Sequence, residues 1–135
     1  MQQHLSTLQS ALYALLNNDA LLNTKIKGIY DAAPENPVFP YITLSDTYIE
    51  DASVRDIIIS DIRFELNIWS NYRGRSELYD ISETLDALIT SQHIRDSGAD
   101  TLIVIQKQQQ RFLQLDKQRI VQSNIQYRAI MQGGV

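Results

Sequence analysis

The residues that could do chemistry are few and far apart. His4 and His93 are the only histidines, and neither has Asp, Glu or His at ligand spacing on a shared face, so a metal site has no basis and both read as surface side chains. Glu50, Asp51 and Asp56 could form a carboxylate set for a divalent cation or for acid/base work. They lack the ordered spacing and the glycine of a calcium loop, and their polar setting reads as a solvated turn rather than as a site with perturbed pKa values. Gly74 stands alone in Tyr72-Arg73-Gly74-Arg75, where a phosphate loop would need several glycines and a lysine at fixed spacing; a turn is expected. None of Ser45, Ser60, Ser70 or Ser91 lies in a Gly-x-Ser-x-Gly elbow or beside a histidine base, and there are no cysteines for disulfide, thiolate or metal-thiolate chemistry. The expectation is a protein with no catalytic residues, no metal and no cofactor.

The elements that would position these residues follow from length and pattern. A chain of 135 residues, 44% hydrophobic, is the size of one domain, and residues 1–135 are read as a single unit. The net charge of -4, with Lys and Arg scattered along the chain, argues against sequence-specific nucleic-acid binding, which needs cations gathered on one face. No apolar run reaches the roughly 20 residues that span a bilayer, and no basic stretch precedes an apolar run at the amino terminus, so a cytoplasmic protein is expected.

Leu5, Leu8, Leu12, Leu15 and Leu16 recur at helical spacing over residues 2–17, and Leu78, Ile81, Leu85, Leu88 and Ile89 do so after Ser76, a candidate N-cap, with Glu77 in the first turn. A short turn through Ala20, Leu21 and Leu22 follows the first helix, and a short strand is expected over 28–31. Pro34, Pro37 and Pro40 then mark an extended loop. Period-two alternation predicts strands over 41–49 and 57–69, joined by residues 50–56, and two more over 101–115 and 119–131, joined by Asp116, Lys117 and Gln118. Val121, Ile125, Tyr127, Ala129 and Met131 share one face of the last strand, while the glutamine run 108–110 points to an exposed sheet face. The fold class is α+β: two helices packed on a largely antiparallel sheet, in the order helix, strands, helix, hairpin.

One pattern points toward contact with other chains. If Phe64 and Leu66 face inward, strict alternation puts Ile49, Ile57, Ile59 and Trp69 on the opposite face. A bulge that shifts the register, or a loop or helix that covers them, would account for this within one chain; a subunit interface would account for it equally. Long strands with exposed edges also invite pairing between copies.

The runs Ile29-Tyr30-Asp31-Ala32-Ala33-Pro34 and Phe39-Pro40-Tyr41-Ile42-Thr43-Leu44-Ser45-Asp46 resemble the opening of the tail-completion (tail terminator-like) family of tailed phages, prophages and gene transfer agents. Phe64-Glu65-Leu66-Asn67-Ile68-Trp69-Ser70, followed by a glycine and an amphipathic helix, is similar to that family's central strand. Arg111-Phe112-Leu113 with Tyr127-Arg128-Ala129 resembles its closing hairpin, and Ala11-Leu12-Tyr13-Ala14-Leu15-Leu16 with Asp19-Ala20-Leu21 its first helix. The glutamine-rich strand over 101–115 and Asp116-Lys117-Gln118 depart from the pattern. The resemblance implies a structural protein that forms a ring of its own copies, usually a hexamer, on the head-proximal end of the tail tube. Such a ring stops elongation and offers the surface for head joining, and DNA passes through its lumen. Its partners would be sister copies, the tail-tube protein and the head-tail connector protein, with no membrane. It would act in the host cytoplasm during assembly and in the neck of the virion tail. Within that picture Ile49, Arg55, Asp56, Ile57, Ile59 and Trp69 are the expected interface residues. A head-closure or minor tail protein, and a small non-viral dimeric ligand-binding α+β domain, are the alternatives.

Overall fold

The computed structural model describes residues 2–90, 94–96, 101–115 and 119–133. Its elements run α1 (Gln2–Asn17), α2 (Ala20–Lys25), β1 (Ile29–Tyr30), β2 (Tyr41–Asp51), β3 (Ile59–Ser70), α3 (Ser76–Thr90), β4 (Ile94–Asp96), β5 (Thr101–Leu115) and β6 (Ile120–Gln132). The α+β class stands, with three helices among the described residues in place of two. The expected turn at Ala20 is a helix of its own, because the Asp19 side chain accepts from Leu22 N at 2.8 Å and so satisfies one of its unpaired amides. Asn23 Nδ2 then donates to the carbonyls of Asn17 and Asp19 at 2.7 and 2.8 Å, closing the end of α1 against the start of α2.

The strands form one six-stranded sheet in the order β1-β2-β3-β6-β5-β4. Every pairing is antiparallel except β1 with β2, which is parallel. β4 was not among the expected elements, and β3 begins at Ile59, two residues later than the alternation implied. β4 covers only residues 101–103 of β5. Among the described residues the outer edge of β5 from 104 to 115 therefore carries no strand.

All three helices contribute to a single core on one face of the sheet. Leu8, Leu12 and Leu16 of α1, Leu22 of α2, and Leu78, Ile81, Leu85 and Ile89 of α3 meet Ile62, Phe64, Leu66 and Ile68 of β3 and Ile125, Tyr127, Ala129 and Met131 of β6. Full burial of one such side chain is worth roughly 1.5–3 kcal/mol, which exceeds a solvent-exposed ion pair at about 0.2–1 kcal/mol, so this apolar layer and not the surface charges holds the fold. Phe64 and Tyr127 stack within it with ring centroids 5.4 Å apart. The Tyr127 hydroxyl donates to Asp86 of α3 at 3.1 Å, and burial first, then the Asp86 charge, push its pKa well above that of a free phenol.

His4 is a correction on two counts: it is 2% exposed, not on the surface, and it lies against the Ser60 hydroxyl, where no serine was expected beside a histidine. Its Nε2 donates to the Gly133 carbonyl at 2.7 Å, and its Nδ1 pairs with the hydroxyl of Ser60, itself fully buried. With a carbonyl on one nitrogen, the neutral tautomer that satisfies both partners carries its proton on Nε2. One side chain thus ties the first turn of α1 to the start of β3 and the end of β6. His93 lies outside the described residues.

Candidate functional site

The face of the sheet away from the helices is polar and internally bonded. Arg128 donates through two nitrogens to the two oxygens of Asp61 at 3.0 and 2.9 Å, and these bonds hold the Asp61 carboxyl below the usual carboxylate range. Next to this pair, Asn124 and Gln126 donate to Glu65, and Asn124 and Gln122 donate to the Asn67 amide oxygen at 2.8 Å. Asn67 in turn donates to Ser45 at 2.7 Å. Side chains knitted in this way are spent on one another.

Of the six expected interface residues, the structure gathers four and separates two. Asp46 and Thr47 together oppose Phe64, a bulge between the Ser45 and Tyr48 pairings in which Asp46 takes a φ of 46°. The extra residue reverses alternation beyond it, so Ile49 pairs with Ile62 and packs against the core on the helical face. The bulge also leaves a cleft of about 150 Å³ between α1 and the sheet, lined by Leu5, Leu8, Leu12, Leu44, Thr47 and Phe64 among others. Trp69 lies ten residues beyond Ile59 on the same strand, roughly 33 Å away. Its ring stacks on Tyr41 at 6.2 Å, and its Nε1 donates to Thr43 at 2.9 Å. Phe39 and Tyr30 cover Tyr41 in turn, so part of the apolar surplus read from the sequence is sheltered within the chain.

Arg55, Asp56, Ile57 and Ile59 do come together, at the β2–β3 hairpin tip. Val54 and Ile57 exchange both backbone hydrogen bonds, at 3.0 and 2.9 Å, around the two-residue turn Arg55-Asp56, with Arg55 at a φ of 54°. Behind the turn, Ser53 N donates to Asp51 at 2.9 Å, Ile59 N donates to Ser53 Oγ at 3.0 Å, and Ala52 N donates to the Ile59 carbonyl at 2.9 Å. The bonds from Ser53, side chain and backbone, lower the Asp51 pKa. Glu50 accepts from the Tyr48 hydroxyl, which raises that phenol. The carboxylates are thus the solvated turn expected, but the turn is internally braced. It presents Val54 at 57% and Ile57 at 46% exposure. Val54 was missed in the sequence, although its alternation with Ile57 across a polar pair signals a tight turn.

The opposite end of β3 holds a feature the sequence reading did not find. Ser70, fully buried, donates to Glu77 at 2.6 Å and accepts from Tyr72 N at 3.0 Å. This fixes the base of the loop 71–75 that leads into α3. Gly74 turns that loop with a φ of +88°. Ser70 pairs with Val121, and Val121 with Gln114, so Arg73 and Arg75 of the loop and Arg119 before β6 come to line one hollow of about 560 Å³ with Asn71, Tyr72 and Gln114. None of these three arginines is in an ion pair among the described residues. The cations are therefore not all scattered.

Among the described residues no group of His, Cys, Asp and Glu could hold a metal ion, and no helix is long and apolar enough to cross a membrane. What the geometry offers is docking chemistry: an apolar, acid-flanked projection at one end of the sheet and a cationic hollow at the other.

Comparison with known proteins bears on this directly. The fold is similar to that of a chain in a solved structure titled "Virion of native gene transfer agent (GTA) particle", with a TM-score of 0.81, 20% sequence identity, and coverage of 93% of this chain and 95% of that one. No curated protein matches the chain. The family model described as "Tail completion protein gp17" matches residues 10–132. The chain therefore belongs to the tail completion protein family, a family of structural proteins of phage tails.

Proposed function

We propose that this protein completes a phage-type tail by closing into a ring of its own copies, a hexamer by the family resemblance, on the head-proximal end of the tail tube. The ring halts addition of tube subunits and offers the surface to which the head-tail connector attaches, which locates the protein in the neck of the virion after assembly in the host cytoplasm. Family membership supports the tail role, and the likeness to a chain of a gene transfer agent virion is in keeping with it. The observation that carries the contact part of the reading is the β2–β3 tip. It is braced by its own hydrogen bonds yet leaves two aliphatic side chains in water, and apolar surface kept rigidly outside the core marks an interface. Arg55, Asp56, Ile57 and Ile59 belong to this contact; Ile49 does not, since it serves the core. Trp69, at the far end of the same strand, would belong to a separate contact.

A closed ring needs two different complementary patches per subunit, and several modest contacts in one ring act with high effective concentration. Negative-stain imaging of the purified protein, alone and with tube subunits, tests the reading. Rings that cap tubes are expected, and the double substitution V54S/I57S should abolish them while leaving the circular dichroism spectrum unchanged. Uncapped tubes that grow equally well with and without the protein would refute the proposal.

A further inference from the structure

The geometry points to the Arg73/Arg75/Arg119 hollow as the receptor for the β2–β3 tip of a neighbouring copy of this chain. This inference rests on the ring reading and supplies its second patch. The two surfaces sit at opposite ends of β3: the tip precedes Ile59, and the hollow follows Ser70. A head-to-tail contact between them is therefore heterologous and leaves each subunit free to engage two neighbours, as ring closure requires.

Shape and charge match. The tip is a projection and the hollow is concave. The tip carries Glu50, Asp51 and Asp56 with one cation of its own, Arg55, and with Arg128 of β6 near enough to feel the Glu50 charge, whereas the hollow carries three arginines with no ion-pair partner among the described residues. Glu77, the acidic residue in the first turn of α3, accepts from the Ser70 hydroxyl and is in no ion pair among the described residues. Guanidinium groups meet carboxylates with charge-assisted and bidentate hydrogen bonds. Tyr72, 51% exposed, supplies an aromatic wall for Val54 and Ile57. Both surfaces are braced beforehand, the tip through Asp51 and Ser53 and the hollow through Ser70, so little order is lost on docking. Nucleic acid fits less well. Phosphate backbones are tracked by cations strung along a face, whereas these three converge on one recess at the end of the sheet, and the chain as a whole carries a charge of -4.

The test uses two full-length variants, E50K/D56K with a reversed tip and R73E/R75E/R119E with a reversed hollow, each checked for folding by circular dichroism. Sedimentation velocity and negative-stain imaging read assembly under conditions where the wild type forms rings. Each variant alone should lose at least tenfold in ring fraction. An equimolar mixture should recover rings by alternation, because every contact then pairs opposite charges, and raising the salt should weaken the mixed rings. Folded variants that show no recovery on mixing, or a reversed hollow that assembles like the wild type, would overturn the pairing while leaving the ring reading intact. A reversed hollow that keeps its rings but loses affinity for a 20-base-pair DNA duplex would assign the arginines to nucleic acid and equally overturn it. A wild-type protein that forms no ring with or without tube subunits would instead remove the ring reading, and this inference with it.

Discussion

Replacing His4 by alanine tests how far the fold depends on one clamp. The side chain is 2% exposed and bonds to Ser60, which is fully buried, and to the Gly133 carbonyl. The lost hydrogen bonds, with a buried hydroxyl left without its partner, together cost roughly 1–3 kcal/mol. The void left by the ring acts in the same direction, so a loss of about 2–4 kcal/mol is expected. For a domain of this size that is a fall in melting temperature of roughly 6–15 °C. Urea unfolding followed by circular dichroism gives the free energy, and Ser60→Ala with the double variant closes a thermodynamic cycle. Because the two side chains touch, the coupling between His4 and Ser60 should be at least about 1 kcal/mol. A loss below about 0.5 kcal/mol for His4→Ala, or strict additivity in the cycle, would refute the clamp.

Further outcomes follow from other side chains. Asp61→Asn should cost about 1–2 kcal/mol at neutral pH, less than a buried pair, because the Arg128 side chain is 39% exposed. The Asp61 pKa is lowered from the ordinary 3.8, so its contribution is present above that value and fades as pH falls through the lower folded value. Wild type and variant should therefore converge in acid unfolding, and a constant gap would contradict the assignment. Tyr127→Phe should cost about 1 kcal/mol through the lost bond to Asp86, and the wild-type ultraviolet titration should place this phenol above free tyrosine. Arg55→Gly should leave stability unchanged or raise it by up to about 1 kcal/mol, since Arg55 has a φ of 54°; a clear destabilisation by thermal melting would show that the side chain braces the turn. Leu85→Ala, at a fully buried site in α3, should cost about 2–5 kcal/mol by urea unfolding.

What could be read in the sequence was whatever repeats locally. The leucines of α1, the Leu78 to Ile89 stripe of α3 and the alternating residues of β3 and β6 announce their faces because each faces the same core throughout. The family likeness was legible on the same segments. Four things were not. Alternation cannot be carried through a bulge, so Ile49 was placed on the wrong face by the one extra residue at Asp46-Thr47. His4 looked like a surface residue because its partners are 56 and 129 positions away. The arginine hollow depends on the pairing of Ser70 with Val121, a register that no local pattern encodes. Likewise Gln110, within the run expected on an exposed face, turns toward α3 and bonds to Ser82 and Ser123 at 2.9 and 2.8 Å.

The outer rim of β5, unpaired from 104 to 115 among the described residues, has a consequence for life before assembly. A bare strand margin of that length would ordinarily recruit any extended chain that drifted past, and for a subunit proposed to halt a polymer such stickiness would be self-defeating. Here the margin is broken by an irregularity between Lys107 and Gln109 and dressed with Gln106, Lys107, Gln109 and Arg111, all exposed. Kinked backbone and the exposed Arg111 discourage strand addition, while the Lys107 ammonium is taken up by Asp86 of α3. On the proposed ring reading, newly made copies would then meet through the tip and the hollow rather than along this margin.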